Sequence, residues 1–256
     1  MLKKTAIEKI SELAAALMEK GSLLAPIKET YGHHFAEIQD PQKVDLNFYN
    51  TVMSPKGAFF PHKEDFIRYQ IGKPVTEAQP VEVDAKPVIL FGVRPCDVKS
   101  FAIMDIHFNA AGIVDPYWSQ RRKLTTIFGY AFDLNQPVDG ADFYNSLGVY
   151  AADPEGSDVF MVKKGDDLLL KGITAKGEEL LGDLKVLVDA GKDDEKFYEE
   201  TLQKGKEYKT RFLCIDQDVI AKKLEDIFHN NDFWTKVSSA CLSCGACTFV
   251  CPNCYC

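Results

Sequence analysis

The sequence has no long uninterrupted run of apolar residues and no excess of basic side chains. Because a helix needs such a run to cross a bilayer, we predict no integral membrane segment. The formal net charge of −8 argues against a nucleic-acid partner, since binding to phosphates needs clustered lysine and arginine. With 46% hydrophobic and 27% charged residues, the composition is that of an ordinary globular protein.

Two targeting and cofactor signatures are also missing. Lys3 and Lys4 are followed by an amphipathic pattern rather than by the apolar core and cleavage site of a signal peptide. We therefore expect a cytoplasmic protein, in which crowded cysteines bind metal or carry out redox chemistry. After the apolar stretch 87–93 the chain continues Arg94-Pro95-Cys96 and lacks the G-x-G-x-x-G turn of dinucleotide-binding folds. This argues against a flavin- or NAD-dependent reductase in its own right.

Cysteine is concentrated at one place, because six of the eight cysteines lie between Cys241 and Cys256. The stretch is Cys241-Leu-Ser-Cys244-Gly-Ala-Cys247-Thr-Phe-Val-Cys251-Pro-Asn-Cys254-Tyr-Cys256. Its core has the spacing C-x2-C-x2-C-x3-C-P, which bacterial ferredoxins use for a [4Fe–4S] cluster. Gly245 permits the tight turn that this spacing needs. The stretch therefore predicts an iron–sulfur site.

The spacing also predicts which cysteine binds which cluster. We expect Cys241, Cys244 and Cys247 to bind three corners of one [4Fe–4S] cluster. Cys251 should point away from that cluster toward a second one, as the fourth cysteine does in two-cluster ferredoxins. Further candidate ligands are Cys254 and Cys256. The alternative is a zinc-stabilised assembly module built on the two C-x2-C pairs, in which Cys247 and the Cys-Pro step would have no role.

For the fold we predict an α/β (α+β) body over residues 1–235 and the start of a ferredoxin-like lobe over 236–256. The apolar runs 87–93 and 124–132, with a helix between them, predict adjacent parallel strands joined by a crossover. The stretches 156–162 and 168–173 predict a hairpin. Helical periodicity covers four further stretches, and the region 23–52 is expected to be irregular. Those helical stretches are 3–19, 175–189, 193–208 and 218–229.

A seventh cysteine is predicted to lie at the turn between the first of these strands and its helix. Asp97 is the expected N-cap of that helix. The helix dipole and Arg94 would both favour the thiolate of Cys96. The alternative is a buried, inert cysteine. We treat Cys96 and Arg94 as secondary candidates for cofactor binding.

Other candidate residues have a structural interpretation. His33 and His34 are adjacent and cannot share one helix face, so we interpret them as solvated or capping residues rather than metal ligands. Phe233 and Trp234 precede the cysteines, and we expect them to pack the lobe against the body.

Four stretches together resemble a known family. They are Ser54-Pro55-Lys56 through Phe60-Pro61, Phe91-Gly-Val-Arg-Pro-Cys-Asp97, Thr174-x-Lys176-Gly177-Glu178, and Cys241 to Cys256. In these the chain resembles the dicluster ferredoxin-type iron–sulfur subunit of anaerobic sulfite reductases and the related sulfhydrogenase beta subunits. The resemblance implies a non-catalytic electron-transfer subunit without a substrate pocket. Its partners would be an NAD(P)H-oxidising flavoprotein subunit carrying FAD and a terminal sulfite reductase or hydrogenase-like subunit.

The chain departs from the family pattern in two places. The family usually has a second ferredoxin motif beyond the Cys-x-Cys step, so we expect this chain to be a fragment whose second cluster is completed in the whole protein. A partner, or Cys254 and Cys256, would otherwise complete the ligation. The second departure is at Ala131, Asp142 and Tyr144, where the family has cysteines. An additional cluster that used those thiols together with Cys96 cannot form in the same way here.

Overall fold

The computed structural model describes residues 2–61, 63–72, 78–135, 142–209 and 216–255. In that part of the chain ten strands form an eight-stranded sheet, in the order β10-β1-β9-β8-β7-β6-β2-β3, and a separate β4–β5 pair. The strands are β1 Leu2–Ala6, β2 Ser22–Glu29, β3 Gly32–Glu37, β4 Ile67–Arg68, β5 Gln79–Pro80, β6 Val88–Val93, β7 Thr125–Tyr130, β8 Val159–Lys164, β9 Asp167–Gly172 and β10 Val188–Asp189. The α-helices are α1 Ile10–Met18, α2 Pro95–Phe108, α3 Pro116–Leu124, α4 Ala175–Asp183, α5 Lys192–Glu207, α6 Gln217–Ile227, α7 Asn231–Ser238 and α8 Ala246–Val250.

The centre of the large sheet is parallel and its flanks are antiparallel. Strands β2, β6, β7 and β8 are parallel neighbours, whereas β3, β9, β1 and β10 join antiparallel. The predicted crossover is confirmed, since β6 and β7 pair in parallel with Leu90 opposite Ile127. The predicted hairpin is confirmed as β8 and β9. The body is therefore a mixed α/β structure.

The sheet is covered by helices on both faces. Leu90 and Ile127 face a core with α2 and α3, whereas their neighbours Phe91 and Phe128 face a core with α1 and α4. Helix α5 covers the same face as α2 and α3 further along the sheet, through Tyr198. Because β6 and β7 are buried on both faces, their sequences are continuous apolar runs.

Two expectations for the N-terminal region are wrong. The predicted helix 3–19 is a 3-10 helix over Ile7–Lys9 and an α-helix over Ile10–Met18, whereas Leu2–Ala6 is β1, which lies between β9 and β10 in the sheet. The region 23–52 is not irregular, because it contains β2 and β3. Pro26 lies in β2 beyond the part that pairs with β6, so its missing N–H removes no bond to that strand.

The C-terminal helices α6 to α8 lie largely at the surface. The indole N–H of Trp234, in α7, donates to the carbonyls of Ile227 (2.9 Å) and Phe228 (3.2 Å), at the end of α6. The apolar side chains of Phe233 and Trp234 are 38% and 40% exposed. Among the described residues, the helices do not combine the length and apolar character needed to cross a membrane.

Candidate metal centre

The cysteine loop, residues 241–255, has the tight backbone that its spacing predicts. Ser243 (φ 54°) and Gly245 (φ 74°) both adopt the left-handed conformation, which turns the chain into α8. The backbone N–H of Ser243 donates to the sulfur of Cys241 at 3.4 Å. Cys247 lies in the first turn of α8, and Cys251 ends that helix. N–H donors directed at sulfur are the kind of contact that tunes iron–sulfur ligands.

The predicted ligands differ in exposure. Cys241, Cys244 and Cys247 are exposed, whereas Cys251 and Cys254 are half-buried. Over the described ranges, no three His, Cys, Asp or Glu side chains are arranged to hold a metal ion. The assignment of Cys241, Cys244 and Cys247 to one cluster therefore stays a prediction. Cys256 lies outside the described residues.

The two half-buried thiols lie beside each other, and their environment favours a thiolate at Cys251. Burial opposes that charge, but hydrogen bonds from the Cys254 side chain and from the backbone N–H groups of Asn253 and Cys254, with the nearby charge of Lys56, outweigh it. The pKa of Cys251 is consequently held below its ordinary value. The hydrogen bond to Cys251 raises the pKa of Cys254. Since thiolates are the form that binds metal, Cys251 has the chemistry of a ligand.

A lysine far away in the sequence fastens this loop to the body. The Nζ atom of Lys56 donates to the backbone carbonyls of Thr248 (3.1 Å), Cys251 (2.8 Å) and Cys254 (2.8 Å). Lys56 lies in the short 3-10 helix Pro55–Ala58. The sequence motif contained this residue but gave no sign of its role, because its partners are 192 to 198 positions away.

A second contact anchors the end of the loop. The hydroxyl of Tyr255 lies 2.6 Å from Nε2 of His107 on α2. The Tyr255 ring packs at 5.1 Å between centroids from Phe108 and at 6.1 Å from Phe60. The loop is therefore seated on the body by one polar clamp and one aromatic contact.

Cys96 lies next to the loop, in the wall of a cavity of about 320 Å³. The cavity is bounded by the start of α2, by the segment 142–149 and by Pro252 and Asn253 of the loop. Burial raises the pKa of Cys96, and the neighbouring charge of Asp97 raises it further, whereas Arg94 opposes the shift only in part. The folded environment therefore favours the neutral thiol, in agreement with the alternative of a buried cysteine.

The N-cap of α2 is also corrected. Arg94 occupies the cap position, and Asp97 lies in the first turn with its side chain buried. Pro95 follows the cap, where its missing N–H leaves no bond unmade. Burial raises the pKa of the Asp97 carboxyl to about 7, although the charge of Arg94 lowers it.

Arg94 is a structural residue. It is 2% exposed, and its guanidinium donates to the carbonyls of Phe48, Tyr49 (2.8 Å), Tyr130 (3.3 Å) and Ala131 (2.5 Å). The rings of Phe48, Tyr130 and Phe132 surround it, with centroids 4.2, 4.6 and 4.8 Å from its Cζ atom. These hydrogen bonds all end on backbone carbonyls, so Arg94 ties the segment 48–49 to the end of β7. Its candidacy as a cofactor ligand gains no support from these contacts.

Comparison with known proteins supports the family resemblance. No family model matches the chain. The chain is 29% identical over 251 residues to sulfhydrogenase 2 subunit beta of Pyrococcus furiosus, a match that covers 97% of this chain and 71% of the relative. The resemblance to the sulfhydrogenase beta subunits is confirmed.

Two of the three positions at which the resemblance implies cysteines lie beside Cys96. Asp142 and Tyr144 line the same cavity as Cys96, and the carbonyl of the third, Ala131, accepts a hydrogen bond from Arg94. Tyr49 donates to the carboxylate of Asp142. Burial raises the pKa of Tyr49 and of Tyr144 far above the ordinary phenol value. A phenol, a carboxylate and a single thiol do not fit an iron–sulfur cluster, so the residues around Cys96 do not supply an additional cluster site.

The cysteine loop fits the cofactor in kind. Its donors are thiols, two of them receive backbone N–H bonds, and its turns have the required left-handed residues. His33 is neither solvated nor a helix cap, contrary to our expectation: it lies in β3, 3.0 Å from the carboxylate of Asp45, and packs on Phe48.

Proposed function

We propose that the chain is the iron–sulfur electron-transfer subunit of a multisubunit anaerobic oxidoreductase in the cytoplasm. It relays electrons between an NAD(P)H-oxidising flavoprotein subunit and a terminal subunit of the sulfite reductase or hydrogenase type. The supporting observation is the cysteine loop itself, which keeps the ferredoxin spacing and is seated on an α/β body related to a sulfhydrogenase beta subunit over 97% of this chain.

The residues of the chain have separate tasks in this proposal. Cys241, Cys244 and Cys247 hold one [4Fe–4S] cluster, and Cys251 serves a second cluster, with Cys254 and Cys256 as further candidates. Bound clusters of this kind accept and release single electrons. The loop backbone supplies N–H donors to the sulfurs, and the body supplies the platform. The chain contributes no catalytic residue, and substrates bind to its partners.

The ferredoxin-like lobe that begins near residue 238 is part of the proposal. Three of the predicted ligands are exposed, so a partner or a further ferredoxin motif has access to that side of the loop. The opposite side, at Cys251 and Cys254, rests on the body through Lys56. A relay needs this arrangement, because one redox centre must be reachable from outside while its position stays fixed.

Metal analysis of anaerobically purified protein tests the proposal. We expect iron and acid-labile sulfide in the amount of at least one cubane cluster, and an EPR signal after reduction by dithionite. Zinc without iron or sulfide would reject the proposal in favour of the zinc-stabilised module. Stoichiometric flavin together with NAD(P)H oxidation by the chain alone would favour a reductase in its own right.

A further inference from the structure

Lys56 combines three features that set it apart from the other lysines of the described chain. Its ammonium group donates to three backbone carbonyls of one short segment, at 2.8 to 3.1 Å. It is partly buried, whereas lysines such as Lys63 and Lys86 have side chains 87% and 76% exposed. Within the described residues, no carboxylate lies within ion-pair distance of Lys56. In that part of the chain its positive charge is therefore balanced by no carboxylate and acts on the thiol of Cys251.

The body holds the side chain of Lys56 in place. Pro55 before it is buried, and Phe59 after it is 1% exposed, with its ring centroid 4.8 Å from Phe101 and 4.9 Å from Trp118. The 3-10 helix that carries Lys56 is thereby fixed to α2 and α3. The backbone of Lys56 is therefore already ordered, so little conformational entropy is lost when the lysine binds the loop.

The carbonyls that Lys56 contacts belong to the residues that carry or flank the thiols. Thr248 lies in α8, and Cys251 and Cys254 are the half-buried thiols. A cation at the carboxyl end of a helix satisfies carbonyls that the helix leaves unpaired. The same cation lies near the metal-binding sulfurs, where a cluster gains one negative charge each time it accepts an electron. A fixed positive charge close by stabilises that reduced state.

We propose that Lys56 is a positioning residue that locks the cysteine loop onto the body and, by its charge, raises the reduction potential of the cluster that this loop holds. This inference rests on the proposed function. A unit charge in partly buried surroundings shifts such an equilibrium by about tenfold. For a one-electron couple a tenfold change corresponds to about 59 mV.

Three substitutions separate the two roles of Lys56. Lys56→Arg keeps charge and donors, Lys56→Gln keeps donors without charge, and Lys56→Met removes both. Lys86→Met removes an exposed charge that makes no contact with the loop, and it serves as the control. All are purified anaerobically as the full chain.

The first measurement is EPR-monitored redox titration. We expect Lys56→Gln and Lys56→Met to give a ratio of reduced to oxidised cluster about tenfold lower at the wild-type midpoint, and Lys56→Arg and Lys86→Met to titrate as wild type. If Lys56→Gln and Lys56→Arg shift the potential equally, or if Lys56→Met leaves it unchanged, the electrostatic role is overturned. Should Lys56→Met lose the cluster, the comparison of Gln with Arg decides the question.

The second measurement is amide hydrogen exchange of residues 246–255, which needs no cluster. Loss of the clamp in Lys56→Met should speed exchange in this segment by about tenfold, because the loop then opens without breaking these bonds. Unchanged exchange would overturn the positioning role. If the wild-type chain holds no iron or sulfide, the proposed function fails, while the exchange experiment still decides whether Lys56 holds the loop.

Discussion

Replacing Arg94 tests whether this buried cation stabilises or destabilises the folded body. The change we consider is Arg94→Met, which keeps most of the length and apolar contact of the side chain and removes the charge. It deprives the carbonyls of Phe48, Tyr49, Tyr130 and Ala131 of their donor. It also removes the cation from the aromatic cage of Phe48, Tyr130 and Phe132.

The magnitude follows from two opposing contributions. Each buried carbonyl left without a donor costs about 1–3 kcal/mol. The cation–π contacts add about 0.5–2 kcal/mol. Against this, the substitution removes the desolvation penalty of a buried charge, which is several kcal/mol. Burial lowers the pKa of Arg94 to about 10, which is the direction that this penalty predicts. The lost hydrogen bonds outweigh the removed desolvation penalty, because several carbonyls lose their donor at once. We expect a net destabilisation of about 3 kcal/mol.

Urea unfolding followed by far-UV circular dichroism measures this effect. We expect a lower midpoint with an unchanged dependence of the unfolding free energy on urea concentration, which indicates a change of stability alone. Arg68→Met is the matched control, because Arg68 is exposed and such surface changes stay within about 0.5 kcal/mol. A loss under about 1 kcal/mol, or a gain, would refute the reasoning and show that desolvation of the guanidinium dominates.

Three further predictions concern single residues. Cys244→Ser should abolish one cluster's EPR signal, whereas Cys251→Ser should spare that signal and affect another; equal loss of a single signal would mean that Cys251 closes the first cluster. The pKa of Asp97 is raised to about 7 in the folded body from 3.8 in the unfolded chain, so the body should lose stability as pH rises from about 4 to 7. In Asp97→Asn the thermal unfolding midpoint should no longer fall over this pH range. Hydrogen bonds from Lys164 and the backbone of Gly191 lower the pKa of Asp194. Asp194→Asn should therefore lower the unfolding midpoint by the equivalent of about 1 kcal/mol at pH 7. The effect should be smaller at low pH, where the carboxyl is protonated.

The sequence predicts best the strands that are buried on both faces of the sheet. β6 and β7 are buried on both faces, so a continuous apolar run identifies each of them without knowledge of the partner. β1 is not predicted, for the opposite reason. Its buried residues Leu2 and Thr5 are three positions apart, a spacing that also suits a helix. Only the pairing with β9 and β10 decides between the two, and that pairing joins residues more than 160 positions away.

The candidate site divides in the same way. The candidate cysteine ligands are recognisable because their spacing along the chain is itself the geometric requirement of a cluster. Lys56 is not recognisable, because a lysine that donates to carbonyls needs no particular sequence around it. Its contacts to the cysteine loop arise from the way the body folds, and the sequence around Lys56 does not indicate that it contacts this loop.

The turn between β6 and α2 shows why local electrostatics misled the prediction for Cys96. A helix N-terminus and Arg94 both favour negative charge there, and on these grounds Cys96 and Asp97 should ionise easily. In the folded protein the pKa of both groups is raised, because burial penalises the charged form more strongly than Arg94 stabilises it.

The pKa values of Cys96 and Cys251 are therefore shifted in opposite directions by their environments. Cys96 packs against Phe132, Tyr144 and Val149, side chains that come from distant segments, and burial raises its pKa. Cys251 receives backbone N–H donors and the Lys56 charge at the edge of the body, where the thiolate is stabilised. Metal binding requires the thiolate, so the balance of burial against nearby donors and charge disfavours metal binding at Cys96 and favours it at Cys251.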